Sequence, residues 1–252
     1  MPIDFERGAK VTGSKWYFTT GEDAQREWNL LNFMLGFHRG KGYTFVIPPY
    51  FVRRQTAEWA GILPRFDGDF YETADGLIAI PTAETPLVGM HAGEIIPAGD
   101  LPLKYVAFSP CFRREGGSPG ARDRGLRRVH QFHKVELFVI CKPEDSPGLH
   151  QEMLAQVEEL IGAFALEYRV VELSEQDRSP VSVKTFDIEL RAGEEWLEVS
   201  SISNTEDRQS KLAQIRYRPA PGKKPEKCHL LNGSGVALPR LIVALDAREE
   251  KR

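Results

Sequence analysis

Hydrophobic spacing along this chain changes period several times, and the changes lay out its elements. Over Gly21–Tyr43, Ala24, Trp28, Leu31 and Leu35 recur every three or four residues, which predicts a helix with those four on its buried face. Acids fall in its first turn, and Gly40 and Gly42 end it. The pattern turns β-branched and aromatic over Tyr43–Val52, a strand halted by Pro48 and Pro49. "GLIAIPTAETPL" (Gly76–Leu87) predicts a short strand and a turn. Leu103–Glu115 and Val129–Ile140 predict two strands, joined by a segment too long for a tight hairpin and therefore expected as a mobile loop. Helical spacing returns after Ser146–Pro147, a cap followed by a first-turn proline, with Met153, Val157, Leu160, Ile161 and Phe164 on one face. "YRVVEL", "KTFDIEL", "EEWLEVSSIS", "AQIRYRP" and "KCHLLNGSG" predict successive strands, and a last helix starts near Val236. Regular strand–helix alternation is absent. The expected class is therefore α+β, a mainly antiparallel sheet flanked by helices, not a doubly wound parallel sheet.

Composition narrows this only a little. The 252 residues are 41% hydrophobic and 27% charged, which suits one globular domain over residues 1–252. A net charge of −3 excludes nucleic-acid binding through overall basicity, so any anion site must be local. No apolar run approaches the ~18 residues of a membrane span, and the first residues carry no signal-like pattern. Three cysteines, Cys111, Cys141 and Cys228, with no CxxC pair, predict a reducing, cytoplasmic setting without structural zinc or disulfides.

Charge is concentrated in one place. Arg113, Arg114, Arg122, Arg124, Arg127 and Arg128 fall within sixteen residues, and their mutual repulsion calls for an anionic partner. Strand alternation predicts that Arg113 and Glu115 share a face, and that Phe132, Lys134, Glu136 and Phe138 share another run of the same kind. A guanidinium that forks onto phosphate, a ring that stacks on a base and a carboxylate that accepts from an amine would together hold a nucleotide. Taken singly, each residue fits a plainer reading equally well, with Phe132 in the core and the arginines on a salt-bridged rim.

The segment "CFRREGGSPGARDRGLRRVHQFHKVE" resembles motif 2 of class II aminoacyl-tRNA synthetases, specifically the bacterial-type seryl-tRNA synthetases, which read close to "CFRxEAGSxGRDTRGLxRxHQFxKVE". The resemblance runs along nearly the whole chain. Gly8–Leu30 is similar to "GARVxGSRFYFLxGxxAxLExAL", "GYTFVIPPYFV" to motif 1, and "IPTAETPL" to the Thr-Ala-Glu serine loop. "KTFDIEL", "LEVSSISN" and "IRYRP" follow in family order, and "LNGSGVALPRLIVAL" resembles motif 3.

This resemblance implies a homodimer joined through motif 1, and a reaction in which the carboxylate of serine attacks the α-phosphorus of ATP before the seryl group passes to an acceptor, normally the 3′ end of tRNA(Ser). Arg113 is expected to bridge carboxylate and α-phosphate, and Arg240 to hold the β/γ end, its plainer reading being a structural salt bridge. Phe132 would stack on adenine and Glu115 accept from its amine. Glu198, with Ser201 beside it, resembles the ligand of ATP-bound Mg²⁺, which shares its shell between carboxylate and phosphate. Asp187 and Glu189 share a face of a nearby strand and read as structural. Thr82, Glu84, Glu136, Asn232 and Ser234, with Arg113, match the serine pocket, whose polar groups would go unpaired with an amino acid lacking the hydroxyl. Thr82 and Glu84 also fit simple capping.

The sequence departs from the family at three places. No heptad run precedes Trp16, so a catalytic core without the family's tRNA-gripping coiled-coil arm is expected, with weakened tRNA recognition. "DFQARR" becomes "DRQSKL" (Asp207–Leu212), with Arg208 in place of an aromatic residue. The closing "ENYQ" becomes "DAREEKR". Two alternatives stay open. One is a homologue that loads an amino acid onto a carrier protein or small-molecule acceptor, disfavoured because known examples resemble a zinc-bearing type. The other is a non-catalytic regulatory paralogue, disfavoured because Arg113 and Arg240 are both present.

Overall fold

The computed structural model describes residues 3–63, 68–115 and 125–249. Arg122 and Arg124, and most of the expected mobile loop, lie outside the described residues. The chain opens with β1 (Ile3–Asp4), α1 (Phe5–Val11), β2 (Phe18–Thr19), α2 (Gly21–Gly40), β3 (Thr44–Val46), β4 (Phe51–Arg53) and α3 (Arg54–Trp59). It continues through β5 (Leu77–Ala79), α4 (Glu84–Met90), β6 (Ile95–Pro97), β7 (Leu103–Phe112), β8 (Gln131–Cys141) and α5 (Ser146–Gly162). It finishes with β9 (Tyr168–Glu172), β10 (Lys184–Ala192), β11 (Glu195–Glu206), α6 (Arg208–Ala213), β12 (Arg216–Arg218), β13 (Glu226–Lys227), β14 (His229–Ala237) and α7 (Leu238–Glu249).

Among the described residues the main sheet has the order β3-β7-β8-β14-β11-β10-β9. Its pairs are antiparallel except for β3 beside β7 at the edge. The α+β expectation is met. Each strand serves two layers because side chains alternate. On β8, Val135, Leu137 and Val139 enter a core shared with α2, α5 and α7, through Leu31, Met34, Met153, Val157, Leu160, Ile161 and Leu241. Phe138 and Ile140 point to the other face, into a second cluster with Leu87, Val88, Ala107 and Leu230. Lys134 and Glu136 share that second face, as the alternation predicted.

β14 lies unusually close to the helical layer. A Cβ on Gly235 would sit 2.9 Å from His38 Nε2 and 3.0 Å from Val135 Cγ1, and one on Gly233 would sit 3.1 Å from both Met153 Sδ and Ile202 Cγ1. A side chain at Gly235 would therefore force His38 or the strand to shift, and one at Gly233 would need its neighbours to give by a few tenths of an ångström. Asn232 and Ser234, between and beside them, face the other way. Pairing with β8 skips between Ser234 and Ala237, and Val236 takes φ +106 at this bulge, just before the chain enters α7.

Four local expectations are corrected. The buried stripe of α2 is Glu27, Leu31, Met34 and His38, and Trp28 is 54% exposed. The stripe is displaced because two polar residues belong to it, Glu27 being buried by its 2.7 Å contact with His133 Nδ1. Second, Thr82–Leu87 is not just a turn: α4 starts at Glu84, with Pro86 in the first turn, where a missing N–H costs nothing. Third, Ser146 is the first residue of α5 rather than its cap. Its hydroxyl donates to Pro143 O at 3.1 Å and hydrogen-bonds His229 Nδ1 at 2.7 Å. Last, β7 ends at Phe112, so strand alternation cannot be what places Arg113 and Glu115.

Candidate functional site

Where β7 stops, the chain is still tethered. Arg113 N–H donates to His130 O at 2.9 Å and Arg114 N–H to Asp69 O at 3.0 Å. Glu115 then takes φ +49. The turn returns its side chain to the side Arg113 occupies, and both line one cavity of about 620 Å³. The Arg113 guanidinium lies 5.2 Å from the Phe132 ring centre, and its Nε donates to Pro81 O at 3.4 Å. The Glu115 carboxylate is ion-paired with Arg128. Arg127 pairs with Glu195 at 3.1 Å, so part of the arginine cluster is a salt-bridged rim.

Beneath the large cavity is a buried polar cluster. Lys134 Nζ is 2.5 Å from Glu136 Oε2, and Thr82 Oγ1 both accepts from Lys134 at 3.0 Å and donates to Glu136 at 2.8 Å. Lys134 is 6% and Glu136 2% exposed, so this charge pair is taken out of water and survives only because it is paired and hydrogen-bonded. Glu84 Oε1 accepts from Gln209 Nε2 at 2.5 Å and from Asn232 Nδ2 at 3.1 Å. Burial, and then the nearby Glu136, push the Glu84 carboxyl up to about 7.

A second, tighter cavity of about 60 Å³ adjoins the first through Arg113, Glu115 and Arg128, and is lined by Phe132, Lys134, Glu198, Ser234 and Arg240. Phe132 is half-buried at this surface and not part of the core. Arg240, on the first turn of α7, donates from Nη1 to Glu198 O at 2.6 Å and lies 3.5 Å from Glu198 Oε2. Ser201 lines neither cavity and stands opposite Asp187 across β10 and β11. Burial raises the Asp187 carboxyl to about 6, and its Oδ1 has no hydrogen-bond partner among the described residues. Glu189 lies opposite Glu198 and is ion-paired with Arg169.

The residues anticipated from the sequence thus fall into two adjoining groups. Thr82, Glu84, Glu136 and Asn232 surround the floor of the large cavity, and Phe132, Glu198, Ser234 and Arg240 the small one, with Arg113 and Glu115 between. Three participants were not anticipated as site residues. Lys134 could have been found from its i, i+2 spacing to Glu136, and Arg128 from the arginine count. Gln209 carries no local signal, since only the fold brings α6 to Glu84. Among the described residues no three His, Cys, Asp or Glu side chains are placed to hold a metal by themselves, and no helix is long and apolar enough to cross a membrane.

The sheet, its flanking helices and the paired cavities define a class II synthetase core. Residues 68–248 match the tRNA synthetase class II core domain (G, H, P, S and T), and the chain belongs to that family. Within it, the chain is similar to serine–tRNA ligases. It is 49% identical over 247 residues to the one from Prosthecochloris aestuarii, covering 96% of this chain and 57% of that relative. It is 45% identical to the one from Dehalococcoides mccartyi, covering 96% and 60%. The solved seryl-tRNA synthetase of Pyrococcus horikoshii complexed with ATP superposes with a TM-score of 0.93 at 43% identity, over 96% of this chain and 55% of that one. A prolyl-tRNA synthetase of Giardia lamblia, at 16% identity and a TM-score of 0.83, shares the fold. The chain spans a little over half the length of the curated relatives it matches.

Proposed function

We propose that this chain activates serine with ATP, forming seryl-adenylate and pyrophosphate, and passes the seryl group to the 3′ end of tRNA(Ser). The observation that carries the reading is the position of Arg113, at the junction of a cavity lined by Thr82 and Glu84 and a cavity lined by Phe132 and Arg240. Two anions must meet in this reaction, and a guanidinium reaching both offsets their repulsion as the carboxylate oxygen bonds to the α-phosphorus and pyrophosphate leaves.

The floor supplies what a small hydroxy-amino acid needs. Glu84 and Glu136 face its ammonium, Thr82 and Asn232 surround its hydroxyl, and Ser234 reaches it from the small cavity. Phe132 stacks on adenine while the Arg113 guanidinium lies on the ring side of the same site. Glu115 accepts from the adenine amine while keeping its pairing to Arg128, and Arg240 turns from Glu198 to the β/γ-phosphates. The work is positioning and charge stabilisation, with no covalent enzyme intermediate.

The oxygen donors near Arg240 fit Mg²⁺: Glu198 and Ser201, with the unpartnered Asp187 oxygen beside them, suit a hard cation that shares its shell with phosphate. When bound, the ion would neutralise phosphate charge. Phe45, Ile47 and Phe51, each more than a third exposed on the motif 1 segment, support pairing with a second copy of the chain, and sedimentation as a monomer would remove that part of the proposal. The three buried free cysteines suit a reducing cytoplasm.

The test is ATP–pyrophosphate exchange with each of the twenty amino acids, then charging of tRNA(Ser). Serine-dependent exchange followed by charging is expected. Absence of exchange with serine would overturn the reading.

A further inference from the structure

The wall of the large cavity facing Thr82 and Glu84 comes from two segments distant in sequence, the turn at Gly61–Ile62 after α3 and Ser179–Ser182 before β10. They are pressed together. A Cβ on Gly61 would overlap Val181 Cγ1, and Gly61 already takes φ +71, so only glycine fits. Ser179 and Pro180 are themselves exposed, and packing holds them little.

What does hold the segment is α6. Arg208 Nη1 donates to Pro180 O at 2.9 Å and to Ser182 O at 3.1 Å. The next residue, Gln209, donates to Ala60 O at 2.9 Å and to Glu84 at 2.5 Å. Two consecutive side chains therefore tie both halves of the wall to the floor. Arg208 is also where the sequence departs from the aromatic residue of the seryl-tRNA synthetase pattern.

With the adenine against Phe132 and the serine ammonium and hydroxyl on the floor, the acyl carbon beside Arg113 is open toward the remainder of the large cavity. At about 620 Å³, that cavity suits a ligand far larger than serine. We propose that Arg208 is a positioning residue for acyl transfer: by holding Ser179–Ser182 against the Gly61 turn it sets the passage through which a ribose hydroxyl of the acceptor reaches the activated carbonyl. The proposal rests on the serine-activation reading. In the step concerned, the acceptor hydroxyl oxygen forms an ester bond with the acyl carbon. The acyl–phosphate bond breaks, AMP leaves with the electron pair, and its phosphate takes the hydroxyl proton.

Arg208→Ala and Arg208→Lys separate this role from general support of the fold. Exchange, which reports the first step, should stay within about twofold of wild type in both variants. Single-turnover transfer from enzyme-bound seryl-adenylate to tRNA(Ser) should fall at least about tenfold in Arg208→Ala, on the scale of a lost charged donor, and less in Arg208→Lys, which keeps a donor for the two carbonyls. Amides of Ser174–Val183 should exchange with deuterium faster in Arg208→Ala. Exchange and transfer falling together, or transfer unchanged in Arg208→Ala, overturns the assignment alone. Wild-type protein that forms no adenylate, or passes none to tRNA, removes the proposed function and this assignment together.

Discussion

Replacing Lys134 by methionine tests the central electrostatic claim about the cavity floor. The ammonium is 2.5 Å from Glu136 Oε2, and Glu136 is 2% exposed. Without it the carboxylate keeps one donor, Thr82 Oγ1 at 2.8 Å. Breaking a buried pair by removing one partner costs about 3–5 kcal/mol, a large share of the roughly 5–15 kcal/mol that holds a domain together. Urea unfolding of wild type and Lys134→Met at pH 8, with equal m-values, reads the difference directly. A second replacement, Glu136→Leu, should return most of the stability, because the buried charge goes with it. The reasoning fails if Lys134→Met lies within about 1 kcal/mol of wild type at pH 8, a value typical of exposed pairs, or if the double variant is no more stable than the single one.

Arg113→Ala should lower serine-dependent exchange by about 10²–10³-fold, the scale of a lost transition-state donor, with an unchanged circular dichroism spectrum. Glu84 titrates near 7 in the folded chain against an ordinary 4.5, so its contribution to stability is lost as pH rises between those values. Its ionised form is the one that pairs with an ammonium, so KM for serine should fall as pH rises through about 7, and Glu84→Gln should have a higher KM without that dependence. Gly235→Ala drives a methyl against His38 and Val135 and should cost about 1–3 kcal/mol in chemical denaturation. The cost should shrink in a His38→Ala background, since the two sites share one contact.

Much of the architecture was legible because alternation on β8 and β14 and the helical spacing after Ser146 are local signals. The misplacements have local causes too. An apolar search along α2 skips Glu27 and His38, which are buried polar residues, and so rotates the stripe onto exposed Trp28. Pro86 argues against a helix unless the helix is known to begin two residues earlier. The parallel placement of β3 beside β7 depends on where the chain returns after nearly sixty residues, which no short pattern reveals.

For the site, family resemblance supplied the residue types, and the structure supplied their company. Glu84 meets Asn232 and Gln209 across separations of 148 and 125 residues. Whether a carboxylate there is an ordinary cap or a buried acceptor is decided by those distant donors. Glu115 illustrates the opposite case: the reason for expecting it beside Arg113 was strand alternation, which stops at Phe112, yet a positive-φ turn delivers it to the same cavity.

Asn232–Gly235 is squeezed from two directions at once. One surface of this ribbon leaves little room for an added atom, and the other carries an amide bonded to Glu84 and a hydroxyl at the small cavity, so neighbouring positions are constrained for unrelated reasons. A library of all substitutions should show both as sensitive, yet a suppressor that trims the ring or thioether behind the strand could rescue only the glycines. The groups proposed to bind substrate and the interior spacing of the fold are thus written in alternate letters of a single short word.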